Sequence, residues 1–435
     1  MTLCLIGIFV CIGIFGGPIL WKQTSGEQNT LVTEQKKSES SEILNNRQIR
    51  VLISSQVLGS YQHKKVAITS DKDYYIIEGT DTKRKKAGQT TTLFFHRKEK
   101  GRKVVFTGTG KLKLKSVKRA DGVPSYRGRL EIRYGKNGCT IINEVALEEY
   151  LYAVLPSEMP ISYGIEALKV QAVCARSFAI RQMRGKKFQQ YNADVDDSVA
   201  SQVYHNSGEC KESIEAVTKT AGEVLTFQGK VIPAYFFSTS WGYTADSNDV
   251  WISSLKSPVY LCGKLQKKEG GNPDLSTNKS LLAFLKKKEK TYDSEFPWYR
   301  WSVKISMDQM IDSNIGKIRK IETVDRGKSG IVKKIRITGG RGVKVIEGEY
   351  QIRKFLGAGN HKIKRNDGSL VSSNFLPSGC FYLKQSGKNI FLYGGGYGHG
   401  VGMSQNGTKK QVELGRDYRT ILKYYYPESE ITMLP

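Results

Sequence analysis

Acidic residues are scarce in this chain of 435: 41 Asp and Glu stand against 68 Lys and Arg, a formal charge of +27. Such an imbalance either repels itself or faces something anionic, and nucleic acid, an anionic membrane surface and an anionic cell-wall matrix all fit. Cysteine is sparse too, with Cys4 and Cys11 near the start and Cys139, Cys174, Cys210, Cys262 and Cys380 scattered beyond. No CxxC pair occurs, and only His205 with Cys210 approaches a zinc-ligand spacing, so neither a structural zinc nor a disulfide framework is expected. The chain also has no GxGxxG, no GxxxxGK[ST] and no GxSxG, which removes the usual nucleotide loops and the nucleophile elbow, and no cofactor is expected. Without a repeat of 20 to 50 residues a solenoid is excluded. No recognised nucleic-acid-binding motif or basic-aromatic stripe can be read along the sequence, which argues against nucleic acid as the partner.

Charge is missing altogether from Leu3 to Trp21, nineteen uncharged and mostly apolar residues. That is about the span of a bilayer core. No Lys or Arg precedes the run, as a signal peptide would require, so residues 1–21 are expected to be an uncleaved transmembrane helix. Residues 22–47 are polar, without aromatic residues or periodicity, and read as a tether.

What remains has 39% hydrophobic and 10% aromatic residues, enough for a packed core. Short β-branched or alternating runs at 49–53, 64–69, 74–79, 103–108, 127–134 and 139–145 predict strands, the last two joined by a hairpin at Gly135–Gly138. A β-rich lobe over 48–145 follows. Helix signals begin with ALEEYLYAVL (146–155) and continue from Tyr163 to Arg184, where Ser162 can cap and Gly185 can terminate the helix. A third helix is expected over 209–222. Residues 146–262 thus read as a helical core, 263–299 as a basic surface insertion, and 300–435 as a second β-rich part. The fold class is α+β, β-rich and multi-lobed around the helices.

Four segments could carry chemistry. LPSEMP (155–160) sets Glu158 between two prolines, a stiffened presentation that suits an acid, although a carboxylate ahead of a helix can equally serve its dipole. The helix that follows is apolar nearly all round, and Lys169 and Arg176, seven apart, fall within ~20° of each other on it. Buried cations there need Glu158, another acid or a ligand as partner. YGGGYGHGVGMSQNG (393–407) is a glycine-rich loop around His399, Ser404 and Gln405, able to approach a ligand closely. AYFFSTSWGYTADSNDVW (234–251) offers Ser240, which with His399 and Asp246 or Asp249 could form a triad, a weak signal without an elbow.

Together EEYLYAVLPSEMP, EALKVQAVCARSFAIRQM, SQVYHNSGE, AYFFSTSWGYT, RKFLG and GYGHGVGMSQNGTKKQ with YRTILKYYYPES resemble, in order, the stage II sporulation protein D and amidase enhancer family. Where the family commonly has SGG this chain has Ser240-Trp241-Gly242, and Asn406 replaces an aromatic residue. The Cys and His with which some members bind zinc are absent from Asp194–Ser201.

The resemblance implies a single-pass membrane protein with an extracytoplasmic main domain, acting as a lytic transglycosylase on denuded peptidoglycan glycan strands. Glu158 would be the catalytic acid. Lys169 and Arg176 would bind substrate or neighbouring acids, with Gln171, Tyr204, Ser240, His399, Ser404 and Gln405 lining the cleft. The alternative it leaves is a non-catalytic wall-binding enhancer of an N-acetylmuramoyl-L-alanine amidase.

Overall fold

The structure, a computed structural model, describes residues 47–434 apart from 57–58, 120–121, 207, 252–255, 288 and 309. The apolar span at 1–21 and the tether up to residue 46 lie outside the described residues. Among those that are described, no helix is long and apolar enough to cross a membrane.

The fold is mixed α+β and strand-rich. A seven-stranded sheet runs in the order Val195–Asp196, Gln48–Ile53, Cys139–Ala146, Arg129–Tyr134, Lys103–Gly108, Tyr74–Glu78, Asp81–Lys85. The hairpin predicted at Gly135–Gly138 is present, closed by Gly135 N–H donating to the Gly138 carbonyl at 2.9 Å, with Cys139 opposite Tyr134. A four-stranded sheet containing Lys65–Ser70 and Leu112–Leu114 supplies further apolar residues to the same core. Alternation explains the packing: in Gln48–Ile53, Ile49, Val51 and Ile53 face the main core while Leu52 turns to a small cluster with Phe188 and Ala193.

Eight helices are described: α1 (Leu147–Glu158), α2 (Ile165–Met183), α3 (Lys211–Lys219), α4 (Ser247–Val250), α5 (Asn278–Lys286), α6 (Glu349–Gly357), α7 (Gln405–Glu413) and α8 (Tyr418–Tyr425). The long α2 is central, packed by α1, α3, α7, α8 and the strand Glu223–Phe227. That is why it is apolar nearly all round.

Three boundaries differ from the sequence reading. Helix α1 does not stop at Leu155 but continues through Pro156 to Glu158, because its last turn is buried on Leu151, Val154 and Leu155 and Ser157 Oγ donates to the Ala153 carbonyl at 2.8 Å. Packing there outweighs the missing N–H of the proline. Helix α2 starts at Ile165, not Tyr163: Ile161–Tyr163 form a 3₁₀ turn and Gly164, at φ 88°, is the cap in place of Ser162. Residues 344–357, read as β-rich, are a strand to Glu347 followed by α6, whose Ile352 and Leu356 are fully buried.

A second core lies between a five-stranded sheet (order Leu370–Ser373, His361–Arg365, Trp301–Ser306, Asn389–Gly394, Phe381–Ser386), a four-stranded sheet through Gly316–Arg326, and α6. Residues 263–299 are not merely surface: Leu275 and Leu281 join the main core, and Asp293 is fully buried. The last described strand, Glu430–Met433, pairs with Glu223–Phe227 and so ties the C-terminal residues to the helical core.

Candidate active site

Because α1 runs on to Glu158, this carboxylate hangs from the C-terminal end of a helix rather than a loop ahead of one. The favourable dipole considered for it is absent. It sits in a cleft of about 770 Å³ whose walls are mainly aromatic, including Tyr235, Phe236, Trp251, Tyr350 and Tyr397, with His399 and Gln405. Burial pushes the Glu158 carboxyl up to about 7, against the opposing pull of the Val203 N–H and the Gln405 side chain. Val203 N–H donates to Glu158 Oε1 at 2.6 Å, and Gln405 Nε2 donates to the Glu158 main-chain carbonyl at 2.9 Å. No cation contributes to the shift, so the group is set to hold its proton near neutrality.

The residues around it are positioned from behind. Gln171, fully buried, accepts from Gln405 Nε2 at 3.3 Å and steadies the amide that meets Glu158. Tyr204 packs on Tyr150 with centroids 4.7 Å apart and donates to Asn143 Oδ1 at 2.8 Å, which fixes the segment carrying the Val203 N–H. Both were expected in the cleft; both lie beneath it.

Lys169 and Arg176 do not reach the site. Arg176 is fully buried and holds Glu148 through Nε at 2.8 Å and Nη2 at 2.7 Å, with Nη1 donating to the Glu223 carbonyl at 3.0 Å. A guanidinium so enclosed meets no ligand. It ties α2 to α1. Lys169 pairs with Glu166 at 2.6 Å and lies over the Tyr418 ring. The cationic stripe predicted from the helix period exists, but other acids satisfy it.

No serine triad forms. Ser240 Oγ donates to Asp293 Oδ2 at 2.7 Å and its N–H to Oδ1 at 2.9 Å, while Ser404, capping α7, donates to the same carboxylate. Both serines are fully buried struts. His399 Nδ1 instead accepts from Val401 N–H at 3.1 Å, its ring packs among Trp251, Phe237 and Tyr235, and burial lowers it to about 4. It stands neutral in the cleft wall, a polar contact and not a base for Ser240.

The glycine-rich loop is what brings His399 and Gln405 over Glu158. It is stitched to the serine segment by Tyr397 N–H to the Thr239 carbonyl at 2.8 Å and Ala245 N–H to the Gly400 carbonyl at 2.6 Å. A side chain at Gly402, with φ 79°, would lie 2.1 Å from the Tyr235 carbonyl oxygen, so the close approach demands glycine.

Three contributors escaped the sequence reading. Asp293 came from a Lys-rich stretch taken as solvated. Arg353 lies in the RKFLG motif but gave no signal of its own; it pairs with Glu349 at 3.1 Å, and both line the cleft. Trp251 had no partner visible along the chain. Among the described residues no group of His, Cys, Asp and Glu could hold a metal ion.

Residues 135–227 match a family described as stage II sporulation protein, and residues 245–402 match a domain of unknown function. The amidase enhancer of Bacillus subtilis (strain 168) is 29% identical over 297 residues, 65% of this chain but only 40% of that protein. The stage II sporulation protein D of the same organism is 30% identical over 305 residues, covering 67% of this chain and 76% of that one, and its namesake in Bacillus amyloliquefaciens is 28% identical over 314. At 30% identity over three quarters of that stage II sporulation protein D, the match is too extensive to rest on isolated motifs, and the chain belongs to the stage II sporulation protein D family.

Proposed function

We propose that the chain is a lytic transglycosylase of peptidoglycan with Glu158 as acid and then base. The observation that supports it is a carboxyl raised to about 7 in an aromatic cleft with no ion-pair partner. Protonated Glu158 gives its proton to the glycosidic oxygen as the bond from C1 breaks. As carboxylate it then takes the proton of the C6 hydroxyl of the same N-acetylmuramic acid unit, whose oxygen closes on C1 as a 1,6-anhydro ring. No water is consumed, so the second free carboxylate of a hydrolase is not needed. The other carboxyl of the cleft, Glu349, is held by Arg353.

Aromatic walls suit the flat apolar faces of pyranose rings. The main domain would lie outside the cytoplasm, tethered by residues 1–21 as an anchor. Digesting denuded glycan strands with the full chain and weighing the products tests the reading: anhydro ends are expected, and Glu158→Gln abolishes them while keeping the fold. Near-normal cleavage by that variant overturns it.

The likeness to the Bacillus subtilis amidase enhancer favours a second reading, a wall-bound partner that stimulates an amidase without cutting glycan. Unchanged strands together with faster amidase turnover would select it.

A further inference from the structure

The five-stranded sheet buries one face and leaves much of the other open, with Tyr382 packed against the main core at one side. Val303, Ile363, Phe381 and Leu392 turn into the second core. The residues between them point outward, and strand pairing sets them in rows. Lys364, Ser302, Tyr393 and Tyr382 are successive cross-strand neighbours, and Lys304, Phe391 and Lys384 form the next row. Four strands at their usual spacing carry these rows across about 15 Å. Along the sequence the same residues are spread over four separate strands, which is why no basic-aromatic stripe could be read there.

Helix α5 walls one side and encloses a cleft of about 650 Å³ lined by Lys286, Arg300, Lys364, Arg365 and Lys384, with no carboxylate among its lining residues. Only Arg365 has an acidic neighbour, Asp367 at 3.5 Å; the other four make no ion pair among the described residues. Arg300 is the telling case. Its guanidinium is half-buried and donates to the carbonyls of Leu285 at 2.8 Å, Trp241 at 2.9 Å, Tyr299 at 2.8 Å and Phe284 at 3.4 Å, which hold it in place at the cleft without a carboxylate to neutralise its charge. Such a charge gains from an anion brought to it.

One end of this sheet leads to the Glu158 cleft. There the Arg365 side chain, opposite Trp301 and so turned away from the Lys364 row, lies over the Trp298 ring at 5.3 Å, Trp298 meets Tyr397 with centroids 4.8 Å apart, and Tyr397 lines the cleft.

We propose that the outer face of this sheet is a second binding platform, which holds the carboxylate-bearing glycan strand where it runs on beyond the Glu158 cleft. The inference rests on the glycan-cleaving reading. Rings and cations side by side match a polymer of pyranose rings in which every second ring carries a free lactyl carboxylate. A polyol phosphate offers the charge without the rings. Single-stranded nucleic acid offers both, but would have no use for the proton donor at the other end of the surface.

The test is the full-length variant Lys364→Ala/Lys384→Ala/Tyr393→Ala, all three at exposed positions. Long denuded strands should bind it about tenfold more weakly, with a shallower salt dependence, while a denuded tetrasaccharide binds and is cleaved as by the parent. Equal binding of long strands by variant and parent overturns the proposal. So does a variant that loses poly(glycerol phosphate) or single-stranded DNA but keeps denuded strands. If the parent binds but does not cut the tetrasaccharide, the transglycosylase reading fails, while the long-strand comparison still decides for or against the platform.

Discussion

Glu158 makes its own pH test. Its carboxyl titrates near 4.5 in an unfolded chain and near 7 in the folded one, so between those values the folded state holds a proton that the unfolded state has released. Stability therefore falls as pH rises through that window, and above it the buried charge costs at most about 3 kcal/mol. Glu158→Gln removes this cost. The variant should match the parent in urea melts at pH 4 and exceed it at pH 8; equal midpoints at both would mean that the carboxyl is not desolvated. If Glu158 is the acid of glycan cleavage, cleavage should decline as pH passes about 7. Arg176 behaves in the opposite way. Removing one partner of a buried pair leaves Glu148 charged and alone, so Arg176→Met should lose about 3–5 kcal/mol of stability. Loss of glycan preference without loss of stability in that variant would return Arg176 to the cleft.

At the scale of elements, Asp293 is the joint of the site. It accepts from Ser240 and Ser404, and Ser404 caps α7, whose first residue Gln405 touches Glu158. Asp293→Ala should cost about 1–3 kcal/mol and reduce cleavage by loosening Gln405. Unchanged cleavage in a destabilised variant would show that α7 keeps its place without this joint.

Legibility divides along the same line. Strands at 103–108 and 139–146, and the hairpin between Tyr134 and Cys139, follow from two-residue alternation, which is local. Glu158, His399 and Gln405 were legible as cleft residues because their motifs resemble a family's. For Arg176 the sequence left ligand and neighbouring acid both open, because the helix period gives a side chain's direction but not what waits there, which is Glu148 from another helix. Asp293 was invisible because its partners lie 53 and 111 residues away.

For the whole molecule the charge of +27 is the dominant long-range feature. If it serves attachment to an anionic matrix, sedimentation of the full chain with purified walls should fall steadily as salt rises, since the Debye length shortens from about 10 Å at 0.1 M to about 3 Å at 1 M. Retention indifferent to salt would assign attachment to sugar contacts alone.

The bond between Gln405 and Glu158 spans 247 residues of chain. A ribosome delivers Glu158 long before it delivers the amide that meets it, and the strand Glu430–Met433 that anchors the C-terminal residues comes later still. A chain in transit therefore carries the acid without the pocket that keeps it protonated. Whatever the site does should wait until synthesis has passed these residues, and a chain stopped before residue 405 should be inert though it holds every residue of α1 and α2.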